Sequence, residues 1–172
     1  MKTASLTRIA LMAAILCLLA PISIPIPVSS VSLSLATFAI YLTAYVLPPK
    51  QALASVGLYL LLGAVGLPVF SGYLAGISRF AAPGGGYLVG YLFLVGISAA
   101  FLQKTARPAL QFLGMFLGTA AMYALGTFWL AYSTGVSFLA ALPAGVLVFL
   151  PLDFLKIILS FYLGRKLKKH IK

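Results

Sequence analysis

Long apolar runs, each cut off by proline, glycine or a few basic residues, organise this chain. The first covers about residues 6–20 and stops at Pro21, Pro25 and Pro27, which lack the N–H needed to continue a helix. The segment 24–32 that follows carries no charge. A second run, about 33–47, ends at Pro48-Pro49-Lys50, and a third, about 51–66, gives way to Gly66-Leu67-Pro68-Val69-Phe70. A glycine-containing loop with Arg79 then reaches Pro83-Gly84-Gly85-Gly86. The fourth run covers about 87–102 and ends in Gln103-Lys104-Thr105-Ala106-Arg107. The fifth covers about 108–132 and the sixth about 151–167. Between them, 137–149 is apolar but interrupted by Pro143 and Gly145, a pattern that predicts a short re-entrant or interfacial helix.

Runs of this length approach the ~20 residues needed to cross a bilayer. The expectation is an all-α integral membrane protein of about six transmembrane helices, forming one membrane-embedded domain over 1–172. Composition agrees: 63% of residues are hydrophobic, 8% are charged, and mean hydropathy is +1.14. A soluble domain cannot hide that much apolar surface.

The net charge of +11 would fit nucleic acid, but its distribution does not. With the N-terminus cytoplasmic and six crossings, Lys2, Arg8, Lys50, Lys104, Arg107, Arg165, Lys166, Lys168, Lys169 and Lys172 all fall inside. Only Arg79 falls outside, so the positive-inside rule predicts that both termini are cytoplasmic. The stretches around Phe70, Gly84 and Asp153 then share the outer side. Cys17 stands alone, so no intramolecular disulfide forms. No small-x-small cleavage site follows the first run, and Leu16 before Cys17 fits a lipoprotein signal poorly, so that run is read as a retained span.

Asp153 is the only acidic residue, and it lies within an apolar stretch that begins near residue 138. An ionisable group at membrane depth costs roughly 2.5–3.5 kcal/mol, which makes such residues rare and usually functional. Lys156, three positions on, shares its helix face within ion-pair reach. Pro151 suits a first helical position, which sets Asp153 in the first turn, at the positive end of the helix dipole. Two readings fit: a clasp between helices or a helix cap, and a ligand site. A carboxylate accepts and an ammonium donates, so together they suit a small polar ring bearing both N–H and C=O.

Other candidates carry similar pairs of readings. Arg79 offers a fork for a substrate carboxylate, or is a solvated or headgroup-facing charge. Gly86 and its neighbours open a helix where backbone can approach a ligand, or simply form a turn. Phe70, Tyr73 and Tyr87 offer stacking surfaces, or are ordinary interfacial aromatics. Ala10 and Ala14 form a small-xxx-small pair that permits close helix approach. The basic tail reads as an anchor to anionic lipid, and His170 within it has no triad or metal partner. No P-loop, metal cluster or cofactor motif occurs, and one carboxylate with one tail histidine leaves no plausible hydrolase dyad.

Three segments together resemble the BioY family, the biotin-binding substrate (S) components of energy-coupling factor transporters. They are Gly66-Leu67-Pro68-Val69-Phe70, then 83–91 from Pro83-Gly84-Gly85-Gly86-Tyr87 to Tyr91, then Leu150-Pro151-Leu152-Asp153-Phe154-Leu155-Lys156. Size, span count and segment order match over essentially the whole chain. Leu152 departs from the family, which often has glycine there. The resemblance implies a six-helix fold in a prokaryotic plasma membrane and high-affinity biotin capture from outside. It also implies docking onto a membrane coupling subunit driven by two ATPase subunits, the chain having no ATPase of its own. It would assign the ureido ring to Asp153 and Lys156 and the coupling face to Ala10 and Ala14. Arg79 as partner of the valerate carboxylate comes from chemistry and sidedness alone, with Tyr87, Gly86 and Phe70 as neighbouring contacts. Rival readings are an S component for another vitamin and a proton-coupled carrier; a single acid and no visible repeat count against the carrier.

Overall fold

In a computed structural model, residues 3–27, 29 and 31–171 are described, with side chains as far as residue 168. Lys2 and Lys172, and the side chains of Lys169 and His170, lie outside the described residues.

The chain is mostly helical. Helix α1 (Thr3–Leu19) ends just before the proline-rich segment, as the missing donors require. Helix α2 (Ala36–Val46) is apolar on every face and buried at nine of its eleven positions, so it must run inside the bundle. It packs against α1, α3 (Pro49–Ala64), α5 (Gly85–Lys104) and α8 (Leu150–Ile171). Pro49 opens α3 at a position whose N–H would have no partner anyway. The loop after α3 carries a single short helix, α4 (Ser78–Ala81).

Helix α5 packs most extensively on α6 (Pro108–Thr134), along a seam of glycines. A Cβ on Gly90 would lie 2.9 Å from the Met122 side chain, and one on Gly118 2.8 Å from the Leu94 carbonyl. In a bilayer, where helices gain little by hiding apolar faces from lipid, such close backbone approach supplies much of the association. Gly135 at φ +71° terminates α6 in the left-handed conformation that glycine tolerates best. At the far end of the bundle, Gln103 Nε2 donates to the carbonyls of Ala44, Tyr45 and Leu47, tying the end of α2 to α5.

Two helices, α5 and α6, are long and apolar enough to cross a membrane alone. The stretch 137–149 is helical as α7 (Phe138–Leu142) and a π-helical turn (Pro143–Leu147), which meets α8 at a 45° bend. This bent pair is long and apolar enough to form a third span. Helices α1 and α2 are apolar but shorter, at 17 and 11 residues.

The all-helical expectation needs one amendment. Ser23–Ile24 (β1) and Leu33–Ser34 (β2) form a small antiparallel ladder that brackets the segment 24–32 expected to be plain loop, β2 standing where the second helical run was expected to begin. Its prolines leave the backbone extended, and unused donors and acceptors on the two sides find each other. The ladder sets Ser34 against the end of α1, where its hydroxyl donates to the Ala20 carbonyl at 2.7 Å.

Candidate functional site

Helix α8 begins one residue earlier than its sequence predicts, because the Asp153 N–H already bonds the Phe149 carbonyl at 2.9 Å. Pro151 therefore sits second in the helix, and Asp153 remains in the first turn. Asp153 Oδ1 accepts from Lys156 Nζ at 2.7 Å and from the Thr37 hydroxyl at 3.0 Å. Oδ2 accepts from the Tyr123 phenol at 2.6 Å. Lys156 Nζ also donates to the Ser34 carbonyl at 2.7 Å and to Thr37 Oγ1 at 3.1 Å. Both charged residues are buried, at 4% and 8% exposure, so the pair must be almost fully hydrogen-bonded to be tolerated. All three ammonium hydrogens are engaged, and the carboxylate accepts three bonds of roughly four it can take.

Each partner comes from a different element: β2 supplies Ser34, α2 Thr37, α6 Tyr123 and α8 the pair itself. A second layer backs them. Thr119 Oγ1 donates to the Met115 carbonyl at 2.7 Å and so accepts from the buried Tyr41 phenol.

The pair lines a small inner cavity of about 30 Å³ with Val31, Ser32, Ser34, Thr37, Tyr87, Tyr91, Met122, Tyr123 and Phe149. An outer cavity of about 290 Å³ shares Val31, Ser32, Tyr87 and Tyr91 with it, and adds Phe70, Ser71, Leu74, Arg79, Pro83 and Gly84. The shared walls make them two chambers of one pocket. Paired charges stand at its inner end and a half-buried guanidinium at its mouth.

The residues expected at the site are thus distributed unevenly. Asp153 and Lys156 meet in the inner chamber, and Tyr87 lines both. The Tyr87 phenol donates to the Gly145 carbonyl at 2.7 Å, locking α5 to the π-helical turn. Its ring lies so close to Gly126 that a Cβ there would be 2.3 Å away. Phe70 and Arg79 line the outer chamber. Phe70 is held edge-on between Tyr59 and Phe80, which fixes its ring as part of the wall. Gly86 lines neither chamber: it lies in the α5–α6 seam, where a Cβ would meet Trp129 Cβ at 2.3 Å and the Leu125 carbonyl at 2.8 Å. Of the glycine run, Gly84 alone faces the pocket. Tyr73, exposed and at φ 60°, lines neither chamber either. Ala10 and Ala14 are exposed on α1, opposite a buried stripe of Ile9, Met12, Ala13 and Leu16.

Sequence reasoning missed Ser34, Thr37, Tyr123 and Tyr91. Thr37 offered a signal as a hydroxyl inside an apolar helix. Tyr123 and Tyr91 are two among nine tyrosines, and Ser34 acts through its backbone, which no side-chain pattern reveals.

Comparison with known proteins places this architecture. The chain is 37% identical over 164 residues to the biotin transporter BioY2 of Lactococcus lactis, covering 95% of this chain and 89% of that protein. It is 34% identical over 149 residues to the biotin transporter BioY of Thermotoga maritima, covering 85% and 86%. A crystal structure of the S-component for biotin from an ECF-type ABC transporter superposes with a TM-score of 0.90 at 31% identity, covering 98% of this chain and 92% of the other. The family model described as BioY matches residues 1–172, and the chain belongs to the BioY family.

Proposed function

We propose that this membrane protein captures biotin and serves biotin uptake as the substrate-specific S component of an energy-coupling factor transporter. The observation that carries this reading is the two-chambered pocket, with Asp153 and Lys156 at one end and Arg79 at the other. The ureido ring of biotin offers N–H donors to the Asp153 carboxylate and a carbonyl to Lys156. Its bicyclic body lies against Tyr87, Tyr91, Met122 and Phe149, whose side chains part to admit it, and its valerate tail extends through the shared neck toward Arg79. Phe70 supports the tail's path from the outer wall. Gly86 contributes by allowing close packing of the helix that carries Tyr87.

In the same reading the chain crosses a prokaryotic plasma membrane about six times, α7 and the π-helical turn being the re-entrant part of the last crossing. The end bearing Lys50, Lys104, Arg107 and Arg165 faces the cytoplasm and the Arg79 end faces outward. The exposed Ala10–Ala14 face of α1 docks on the membrane coupling subunit, and two ATPase subunits supply the energy. Purified protein in detergent should bind radiolabelled biotin saturably, with riboflavin and thiamine failing to compete. Competition by either vitamin at equal concentration would assign the pocket to a different substrate.

A further inference from the structure

A separate polar cavity lies at the basic end of the bundle, between the ends of α2 and α5, the start of α6 and the last turns of α8. It measures about 360 Å³ and is lined by Tyr45, Gln103, Lys104, Gln111, Arg165 and Lys168, with Thr105 and Ala106. The only carboxylate side chain in the chain, Asp153, lies twelve residues before Arg165 on the same helix, about 18 Å along its axis. No acidic side chain of this protein therefore neutralises Lys104 or Arg165.

The cavity is also pre-organised. The Arg165 guanidinium stacks over the Phe161 ring at 5.1 Å, and Lys168 Nζ donates to the Leu102 carbonyl at 2.8 Å. Two lining residues hold buried polar atoms that have no hydrogen-bond partner among the described residues: the Tyr45 phenol and Gln111 Oε1. Gln111 is fixed by its other amide atom, which donates to the Thr105 carbonyl at 2.8 Å. Buried polar groups left unmatched are costly, so a donor and an acceptor lining a cationic cavity point to an occupant that supplies both.

We propose that this cavity binds a phosphate-ester headgroup bearing hydroxyls, that of an anionic lipid such as phosphatidylglycerol. The phosphate oxygens accept from Arg165, Lys104 and the Tyr45 phenol, and a headgroup hydroxyl donates to Gln111 Oε1. Exposed Leu110 and Leu113 on α6 and Leu167 on α8, each within two residues of a lining residue, give the acyl chains apolar surface. Assignment to the inner leaflet rests on the orientation proposed above; the site itself does not.

The test uses the full chain in detergent. Phosphatidylglycerol should raise its melting temperature, while phosphatidylcholine and inorganic phosphate at equal concentration should not. Native mass spectrometry should show a single retained phosphatidylglycerol, with apparent affinity reduced about tenfold in Arg165→Gln and in Lys104→Gln. Tyr45→Phe is the sharper variant. Its hydroxyl has no hydrogen-bond partner among the described residues, so the change should weaken lipid retention without lowering the melting temperature of the lipid-free protein. Lys50→Gln, a cation of the same end outside the cavity, should retain the lipid as wild type does. Equal retention in Arg165→Gln and Tyr45→Phe would overturn the site. Equal stabilisation by inorganic phosphate would overturn the lipid source in favour of a soluble anion.

Discussion

Replacing Asp153 by asparagine separates the two roles open to the buried pair. The substitution keeps the shape and one acceptor oxygen but turns the other oxygen into an amide donor, and it removes the charge. With the amide nitrogen at the Oδ2 position the bond from Tyr123 meets a donor instead of an acceptor, and with it at Oδ1 the two from Lys156 and Thr37 do. The ureido N–H likewise loses its charged acceptor. A hydrogen bond to a charged group is worth about 1.5–3 kcal/mol, so biotin affinity should fall roughly 10- to 150-fold. The same change leaves the Lys156 ammonium buried without its counter-ion, and breaking a buried pair from one side costs about 3–5 kcal/mol. Weaker binding by the single variant is therefore informative only if folding is followed too.

The assay is equilibrium binding of radiolabelled biotin to purified protein, with thermal unfolding measured in the same detergent. A second variant, Asp153→Asn with Lys156→Gln, removes both charges and relieves most of the stability loss. If the pair reads the ureido ring, the double variant should recover stability yet still bind biotin at least tenfold more weakly. If the double variant is stable and binds within twofold of wild type, the pair is a clasp and the ligand reading fails.

Three further changes probe other parts of the molecule. Arg79→Ala should cost about 1–2 kcal/mol of biotin affinity, solvent screening keeping the loss modest; the preference for biotin over biotin amide should shrink with it, and an unchanged preference would remove Arg79 from the site. Leucine at Ala10 or Ala14 should spare biotin binding by the isolated chain while preventing co-purification with a coupling complex; loss of binding with assembly intact would refute the docking role. Gly86→Ala should lower stability by about 1–3 kcal/mol through overpacking against Trp129, with biotin affinity unchanged at temperatures where the variant is folded; a direct loss of affinity would place Gly86 in contact with ligand.

What was legible in the sequence follows from how each feature is encoded. The helices are announced by apolar runs and ended by prolines, so their positions emerge within a few residues. The Asp153–Lys156 pair was legible because a charge in an apolar span is conspicuous and a spacing of three places both on one face. The Ser23–Ile24 ladder was not, since two-residue strands carry no periodicity to detect. Nor was the difference between Gly84, which faces the pocket, and Gly86, which faces α6; adjacent glycines look alike until a partner helix is placed beside them. Thr37 and Tyr123 fall between these cases: polar residues in apolar helices flag themselves, but only the bundle's geometry says that both point at one carboxylate.

The clasp and ligand readings of the pair are less opposed than they look, because the hydrogen-bond arithmetic ties them together. Lys156 has three donors, and all three are used within the protein by Ser34, Thr37 and Asp153. A ligand carbonyl can therefore reach the ammonium only by taking the place of one of them. Thr37 is the group built to yield: its hydroxyl accepts from Lys156 and donates to Asp153, and it can turn away without breaking the ion pair or the β2 backbone. The Ser34 carbonyl, held by the ladder, has no such freedom. The same contacts that stabilise the empty chamber then orient the two charges for the ligand, and binding exchanges one neutral acceptor of the ammonium for another. This predicts an asymmetry between two conservative changes. Thr37→Val, which removes the yielding hydroxyl, should alter biotin affinity by no more than about tenfold, since the ligand carbonyl takes that hydroxyl's place on the ammonium in the bound state. Loss of the Asp153 charge should exceed that in the same assay. Should Thr37→Val prove the more damaging of the two in folded protein, the hydroxyl itself contacts biotin and the exchange account is wrong.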